Sequence, residues 1–238
     1  MSDRGEELAA LCKDLVSDPA YITGRRTYPR TVTMDDVADV ALAVQHEVDQ
    51  AIRMRDARAA EQGLKLACER GCSKCCEEIV MVTLPEAALL ARWLRRPENA
   101  EALAAFRDRF AAWQAAVGDT PQRMEDAAQR GDQAEYVRLH TDNMMSRTMC
   151  AFNQDGVCQV YEVRPLICRR AHALDTAELC GPHPVGLGRR KQIDFPPLEQ
   201  FSNRMLGILW AGHHAAGGAR MRRDALCAYV MKLVDAAP

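Results

Sequence analysis

Eight of the ten cysteines in this 238-residue chain are gathered into two groups. Cys68, Cys72, Cys75 and Cys76 fall within one short stretch, and Cys150, Cys158, Cys168 and Cys180 form a second, wider group. Cys12 and Cys227 stand apart. About 4% cysteine is below the 8–10% that marks a disulfide scaffold. A chain of this length buries its own core without covalent staples. The N-terminus, Met-Ser-Asp-Arg-Gly-Glu-Glu, has no apolar stretch behind a basic one, so no secretory signal is expected. No run of about 18 apolar residues occurs, so no transmembrane helix is expected either. The expected compartment is the cytoplasm, where thiols stay reduced. There, clustered cysteines read as metal ligands or catalysts rather than disulfides.

The first group reads Cys-Glu-Arg-Gly-Cys-Ser-Lys-Cys-Cys. Cys72 and Cys75 have the two-ligand spacing that lets one tight turn aim two thiolates at one ion. Soft thiolates select zinc, copper(I) or iron–sulfur clusters over magnesium or calcium. A bland reading also exists, because positions 68, 72, 75 and 76 share a face if the stretch is helical. Gly71 and the charges of Glu69, Arg70, Lys74, Glu77 and Glu78 argue against a buried stripe. Adjacent Cys75 and Cys76 point to opposite faces of an extended backbone. The pair therefore serves two metals, or one bridges, or one is a spectator. Eight clustered thiols suffice for two four-thiolate sites, or for one site with further thiols around it.

In the second group, Asp155-Gly156 marks a tight turn that brings Cys150 and Cys158 together. Val163, Arg164 and Pro165 lead into a short helical turn, with Cys168 one turn on and facing back. Cys12 and Cys227 read as small packing residues, Cys227 because it lies in an apolar helical stretch.

These residues carry a resemblance. The order Cys68, Cys72, Cys75, Cys76, the Thr83-Leu84-Pro85-Glu86 helix start, Cys150-Ala-Phe, Gly156-Val-Cys158-Gln-Val-Tyr161 and Arg164-Pro165-Leu-Ile-Cys168-Arg169 resembles the zinc- or iron-chelating cysteine-cluster proteins of the YkgJ type. It covers about residues 66–180 and leaves the flanks unassigned. It implies a zinc, iron or iron–sulfur site on Cys68, Cys72, Cys75, Cys76, Cys150, Cys158, Cys168 and Cys180. That family also includes flagellin lysine N-methylases, which implies an enzymatic alternative, although no Gly loop for phosphate or a methyl donor is visible here. Relatives usually have an aromatic, Pro-containing stretch after the Cys-Arg pair, where this chain has Arg170-Ala171-His172-Ala173-Leu174. The departure brings His172 toward the site.

Other candidates are weaker. His172 and His183 are able to replace a thiolate, but without paired spacing a surface or supporting histidine is the favoured reading. Arg164 and Arg169 would offset the negative charge of a thiolate site and are expected to be structural. His213-His214 reads as a cationic end of a helix, and His46 and His140 lie in expected helices with no visible partner. Gly186-Leu-Gly188-Arg189-Arg190-Lys191 lacks the Gly-Lys-Ser/Thr ending of a phosphate loop. A thiol–disulfide exchange role for Cys72 and Cys75 would need a βαβ setting that the sequence lacks.

Helical periodicity dominates the rest. Met34, Val37, Ala41, Val44, Val48 and Ala51 line one face of a helix capped by Thr33 and running to about residue 65, with Arg53–Arg58 as the place for a break. Thr83-Leu84-Pro85-Glu86 is a capping-box signature that starts a helix ending near Leu94. Further helices are expected over 99–117, 122–130, 133–147, around 198–212 and over 219–234. Ile79–Val82 and Gln192–Phe195 are short extended candidates, and Pro196-Pro197 and Gly181–Gly188 are loop signals. No βα alternation appears, which excludes a doubly wound sheet. The net charge of −2 and the 5% aromatic content exclude a charge-driven or base-stacking nucleic-acid binder.

The expectation is therefore a mainly α, single irregular helical domain spanning residues 1–238 around a cysteine-ligated metal site. The cysteine-cluster region at 66–180 is flanked by N- and C-terminal helices. The leading function is chelation of zinc or iron, the latter including an iron–sulfur cluster. The alternatives are a metal-cluster enzyme or a redox or electron-transfer protein. No membrane is expected as partner, and a protein partner and the oligomeric state stay open.

Overall fold

The computed structural model of the chain describes residues 1–15, 32–68, 71–171, 173, 180, 196–216 and 222–236. His172, His183, the Gly181–Gly188 loop, the basic turn Arg189–Lys191 and the extended candidate Gln192–Phe195 lie outside the described residues.

The described chain is mainly helical. Helix α1 (Asp3–Leu15) packs against α2 (Met34–Glu61). Thr33 caps α2 reciprocally: its hydroxyl accepts from the Asp36 N–H at 3.2 Å, and the Asp36 carboxylate accepts from the Thr33 N–H at 3.0 Å. Val37, Val40, Val44 and Val48 recur on one face and are buried. The helix runs unbroken through Arg53–Arg58 and stops at Glu61, a few residues short of expectation. Arg55 is buried and paired with Asp56, so the charged stretch bonds locally instead of breaking the helix. Gly5 of α1 lies so close to Asp39 that a Cβ there would sit 2.0 Å from its carboxylate oxygen.

Helix α3 (Leu84–Leu94) starts at the Thr83–Glu86 capping box and is buried along most of its length. Its Arg92 reaches Asp39 at 2.9 Å, tying α3 to α2. Helix α4 (Ala100–Val117) turns Phe106 inward, where it stacks on Phe152 with centroids 4.1 Å apart. Helices α5 (Thr120–Arg130) and α6 (Gln133–Ser146) pack on each other across left-handed Gly131.

Two small antiparallel pairs complete the frame. Strands β2 (Asn153–Gln154) and β3 (Val157–Cys158) form the hairpin expected at Asp155-Gly156. Both turn residues have positive φ, 52° and 81°, as a two-residue hairpin turn requires. Strand β1 (Met81–Val82) pairs with β4 (Asp224–Ala225), Met81 opposite Ala225 and Val82 opposite Asp224.

Helix α7 (Leu166–Arg170) follows Pro165, and α8 (Pro196–Ala215) packs on α1, α2 and α3. Pro196-Pro197 opens α8 rather than forming a loop, because the first helical turn needs no N–H there. The last helix, α9 (Leu226–Asp235), begins later than its periodicity suggests, since Asp224–Ala225 is taken up by β4. One buried apolar cluster draws on residues from Leu8 to Val234.

Candidate metal centre

Residues 71–78 are not a continuous helix. Gly71 takes φ +95°, and the Cys76 N–H donates to the Ser73 carbonyl at 2.9 Å, closing a short 3-10 turn over Lys74–Glu77. That geometry replaces the helical stripe with a turn that presents Cys72, Cys75 and Cys76 to one cavity. Asn143 of α6 fixes the turn from behind by donating to the Glu77 carbonyl at 3.1 Å.

The second group docks onto the first through its backbone. The Cys150 N–H donates to the Cys76 carbonyl at 2.7 Å. The hairpin then returns the chain, with the Asn153 side chain accepting from the Gly156 N–H at 3.0 Å, so that Cys158 stands beside the same cavity. The hairpin tip approaches Gly71, whose carbonyl lies 3.3 Å from where a Gly156 Cβ would be.

Cys168 arrives on α7, and two buried groups hold that short helix. Glu86 of α3 accepts from the Leu166 N–H at 3.0 Å and from both the N–H and hydroxyl of Thr83. Arg169 donates to both Asp49 oxygens at 2.7 and 2.9 Å, to Gln45 Oε1 at 3.1 Å and to the carbonyls of Arg164 and Glu162. Gln45 in turn donates to the Val163 and Arg164 carbonyls. The structural role expected of Arg169 is thus a clamp between α2 and the loop carrying Cys168.

The resulting cavity measures about 460 Å³. Cys72, Cys75, Cys76, Cys150, Cys158 and Cys168 stand on its wall, with Val80, Phe152 and Leu226 among its apolar lining. Burial pushes the Cys158 thiol up to about 11, aided by charge at Cys150 and Cys75 and opposed by Arg164. Burial raises Cys168 well above the ordinary thiol value, and negative charge at Cys75, Cys150 and Cys158 adds to it. A thiol contact with Cys227 is the main cause of the rise at Cys150. These mutual effects mark Cys75, Cys150, Cys158 and Cys168 as close electrostatic neighbours. Arg164 lies 4.0 Å over the Tyr161 ring, and its buried Nε has no hydrogen-bond partner among the described residues.

The other two cluster cysteines are placed differently. Cys68 sits beside the segment after α7, its sulfur accepting from the Ala173 N–H at 3.1 Å. Cys180 is buried. Neither is among the residues that line the cavity. The donor set of the cavity suits a soft metal: six thiols, with Glu162 the one carboxylate among its described lining residues. Among the described residues, no three His, Cys, Asp or Glu side chains are gathered closely enough to enclose an ion as they stand.

Two residues make contacts that the sequence reading did not include. Cys227 is buried in the apolar core, as expected of a packing residue, and it also places its Sγ 3.6 Å from Cys150 Sγ. His213 lies in the last turn of α8, as expected, but is buried, with Nδ1 3.4 Å from the Leu84 N–H at the start of α3. Cys12 is fully buried in the core, as expected. All ten cysteines are free thiols. Among the described residues, no helix is long and apolar enough to cross a membrane. No family model matches the chain, and no curated protein or solved structure matches it.

Proposed function

We propose that this protein binds zinc or iron, the latter including an iron–sulfur cluster, through the thiolates of its paired cysteine groups. The observation that carries the reading is the cavity where six cysteines from three separate stretches of chain meet. Cys75, Cys150, Cys158 and Cys168 are the principal ligands, with Cys72 and Cys76 on the same wall and Cys68 and Cys180 outside its lining residues. A zinc ion would supply a closed structural crosslink, and an iron–sulfur cluster would supply reversible one-electron chemistry. The chain's own part is to hold the loops. Arg169 and Glu86 anchor α7, the hairpin turn positions Cys158, and Arg164 offsets thiolate charge from the cavity wall. A cytoplasmic setting keeps the thiols reduced, and the resemblance to cysteine-cluster chelating proteins belongs to the same proposal.

The test is anaerobic purification, with bound metal per chain and the visible spectrum recorded together. About one or two zinc per chain with no visible band supports the structural reading; iron with sulfide and a brown colour supports the cluster. Absence of any metal, with free reactive thiols, overturns both. Cys72→Ser and Cys168→Ser should each lower metal content if the two groups share one site.

The size of the cavity favours one second reading. At about 460 Å³ it has room for a small molecule beside the ion. That would suit a metal-cluster enzyme, of the protein-lysine N-methylase kind or another, or a redox protein. A visible band bleached by dithionite and restored on reoxidation would favour the redox form.

A further inference from the structure

Cys227 lies outside both cysteine groups, at the start of α9, and is almost completely buried. Its Sγ stands 3.6 Å from Cys150 Sγ. Zinc–sulfur bonds of about 2.3 Å in a tetrahedral site put neighbouring sulfurs about 3.8 Å apart, so the pair already stands near the length of one tetrahedral edge.

The position is held by backbone as well as by packing. The Leu226 N–H donates to the Val80 carbonyl at 2.8 Å, and β4 pairs with β1 immediately before the helix. Val80, Cys150 and Leu226 line the thiol cavity, and Cys227 adjoins it through Cys150 without itself lining it. The first turn of α9 is therefore docked against the same strand that leads away from Cys75 and Cys76.

We infer that Cys227 is a further thiolate ligand of the metal centre, sharing one edge of it with Cys150. The inference rests on the metal-binding reading above. It extends the site beyond the two cysteine groups to the last helix, so that a fourth stretch of chain closes it. Binding would convert each ligating thiol to a thiolate with release of its proton to solvent, and no oxidant or reductant is involved.

The test adds Co²⁺ to the metal-free full-length protein and reads the near-ultraviolet thiolate-to-cobalt absorption. Cys227→Ser, Cys150→Ser and a Cys12→Ser control are compared with the parent under air-free conditions. If the parent shows no thiolate–cobalt band, the metal-binding reading itself fails. If the parent binds, Cys227→Ser should lose the share of that absorption carried by one thiolate and should bind at least about tenfold more weakly. Cys12→Ser should match the parent. A Cys227→Ser protein with the parent's spectrum and affinity overturns the inference while leaving the metal centre intact. Should that variant not fold, the parent carries the test. After Zn²⁺ loading, thiol alkylation in mild denaturant is followed residue by residue by mass spectrometry. A ligating Cys227 reacts at the slow rate of Cys150, whereas a Cys227 that reacts with Cys12 overturns the inference. A Cys150–Cys227 disulfide in the air-free metal-loaded protein would also overturn it.

Discussion

Removing the Arg169 guanidinium takes a donor from four acceptors at once, Asp49, Gln45 and the carbonyls of Arg164 and Glu162, of which the Arg164 carbonyl keeps Gln45 as a donor. Asp49 is partly exposed and relaxes into water, so the loss stays below that of a fully buried pair. Arg169→Ala should cost about 2–3 kcal/mol in urea unfolding, and Arg169→Lys should recover only part of it because an ammonium lacks the planar fork. A variant within about 0.5 kcal/mol of the parent would show that the clamp does not hold α7. Glu86 gives a pH-dependent counterpart. Burial raises its carboxyl above the ordinary value of 4.5, against the lowering effect of the hydrogen bonds from Thr83 and Leu166 and of the Arg223 charge. The folded state therefore keeps a proton that the unfolded chain gives up. That contribution is fully present below pH 4.5 and is lost as pH rises through the folded value. The stability advantage of the parent over Glu86→Gln should shrink as pH rises from about 4, measured by urea midpoints at each pH. An advantage that grows with pH would reverse the assignment. Local grammar predicted Glu86 as a capping residue, but its bond to Leu166 crosses a sequence separation of 80 residues and left no local trace. The bond between Asp49 and Arg169 was invisible for the same reason.

Among the elements, the hairpin is the clearest point where backbone chemistry and site geometry meet. Gly156 occupies φ +81°, and its tip abuts the Gly71 carbonyl. Gly156→Ala adds left-handed strain of about 1–2 kcal/mol and a contact of 3.3 Å that Gly71 must yield to. The variant should melt earlier by several degrees and should hold less metal per chain, since Cys158 and Cys72 lie on either side of that contact. Asp155→Asn, which tolerates the same backbone, should be near neutral in both measurements. This turn was legible because Asp-Gly has a narrow backbone meaning. So was α3, where Thr83, Pro85 and Glu86 fix the start and the apolar face sets the extent. The pairing of β1 with β4 was not legible. Two-residue strands have no periodicity to read, and what joins them is the docking of the last helix on the third.

At the scale of the whole molecule, the helices α1, α2, α3 and α8 pack together through apolar faces, whereas the thiol cavity is walled by turns, a hairpin and a five-residue helix. Those two parts should respond differently to a chelator. Metal removal should speed amide hydrogen exchange in residues 71–82 and 150–171 while Val37–Val48 and Leu84–Leu94 stay protected, read by mass spectrometry at matched pH. Uniform acceleration along the chain would mean that the metal holds the helical frame as well. The helical frame was readable in advance because its stabilisation is periodic in sequence. The cavity was readable only as a set of residue types, because which thiols meet is decided by long-range contacts such as that of the Cys150 N–H with the Cys76 carbonyl. The β1–β4 pairing also bears on synthesis. The first cysteines leave the ribosome about 150 residues ahead of Cys227, a delay of roughly 8–30 s at ordinary elongation rates. Through that interval the nascent chain presents an unfinished set of nucleophiles to the cell, so under the proposed metal binding the timing of metal delivery relative to translation would become a determinant of the yield of correctly assembled protein.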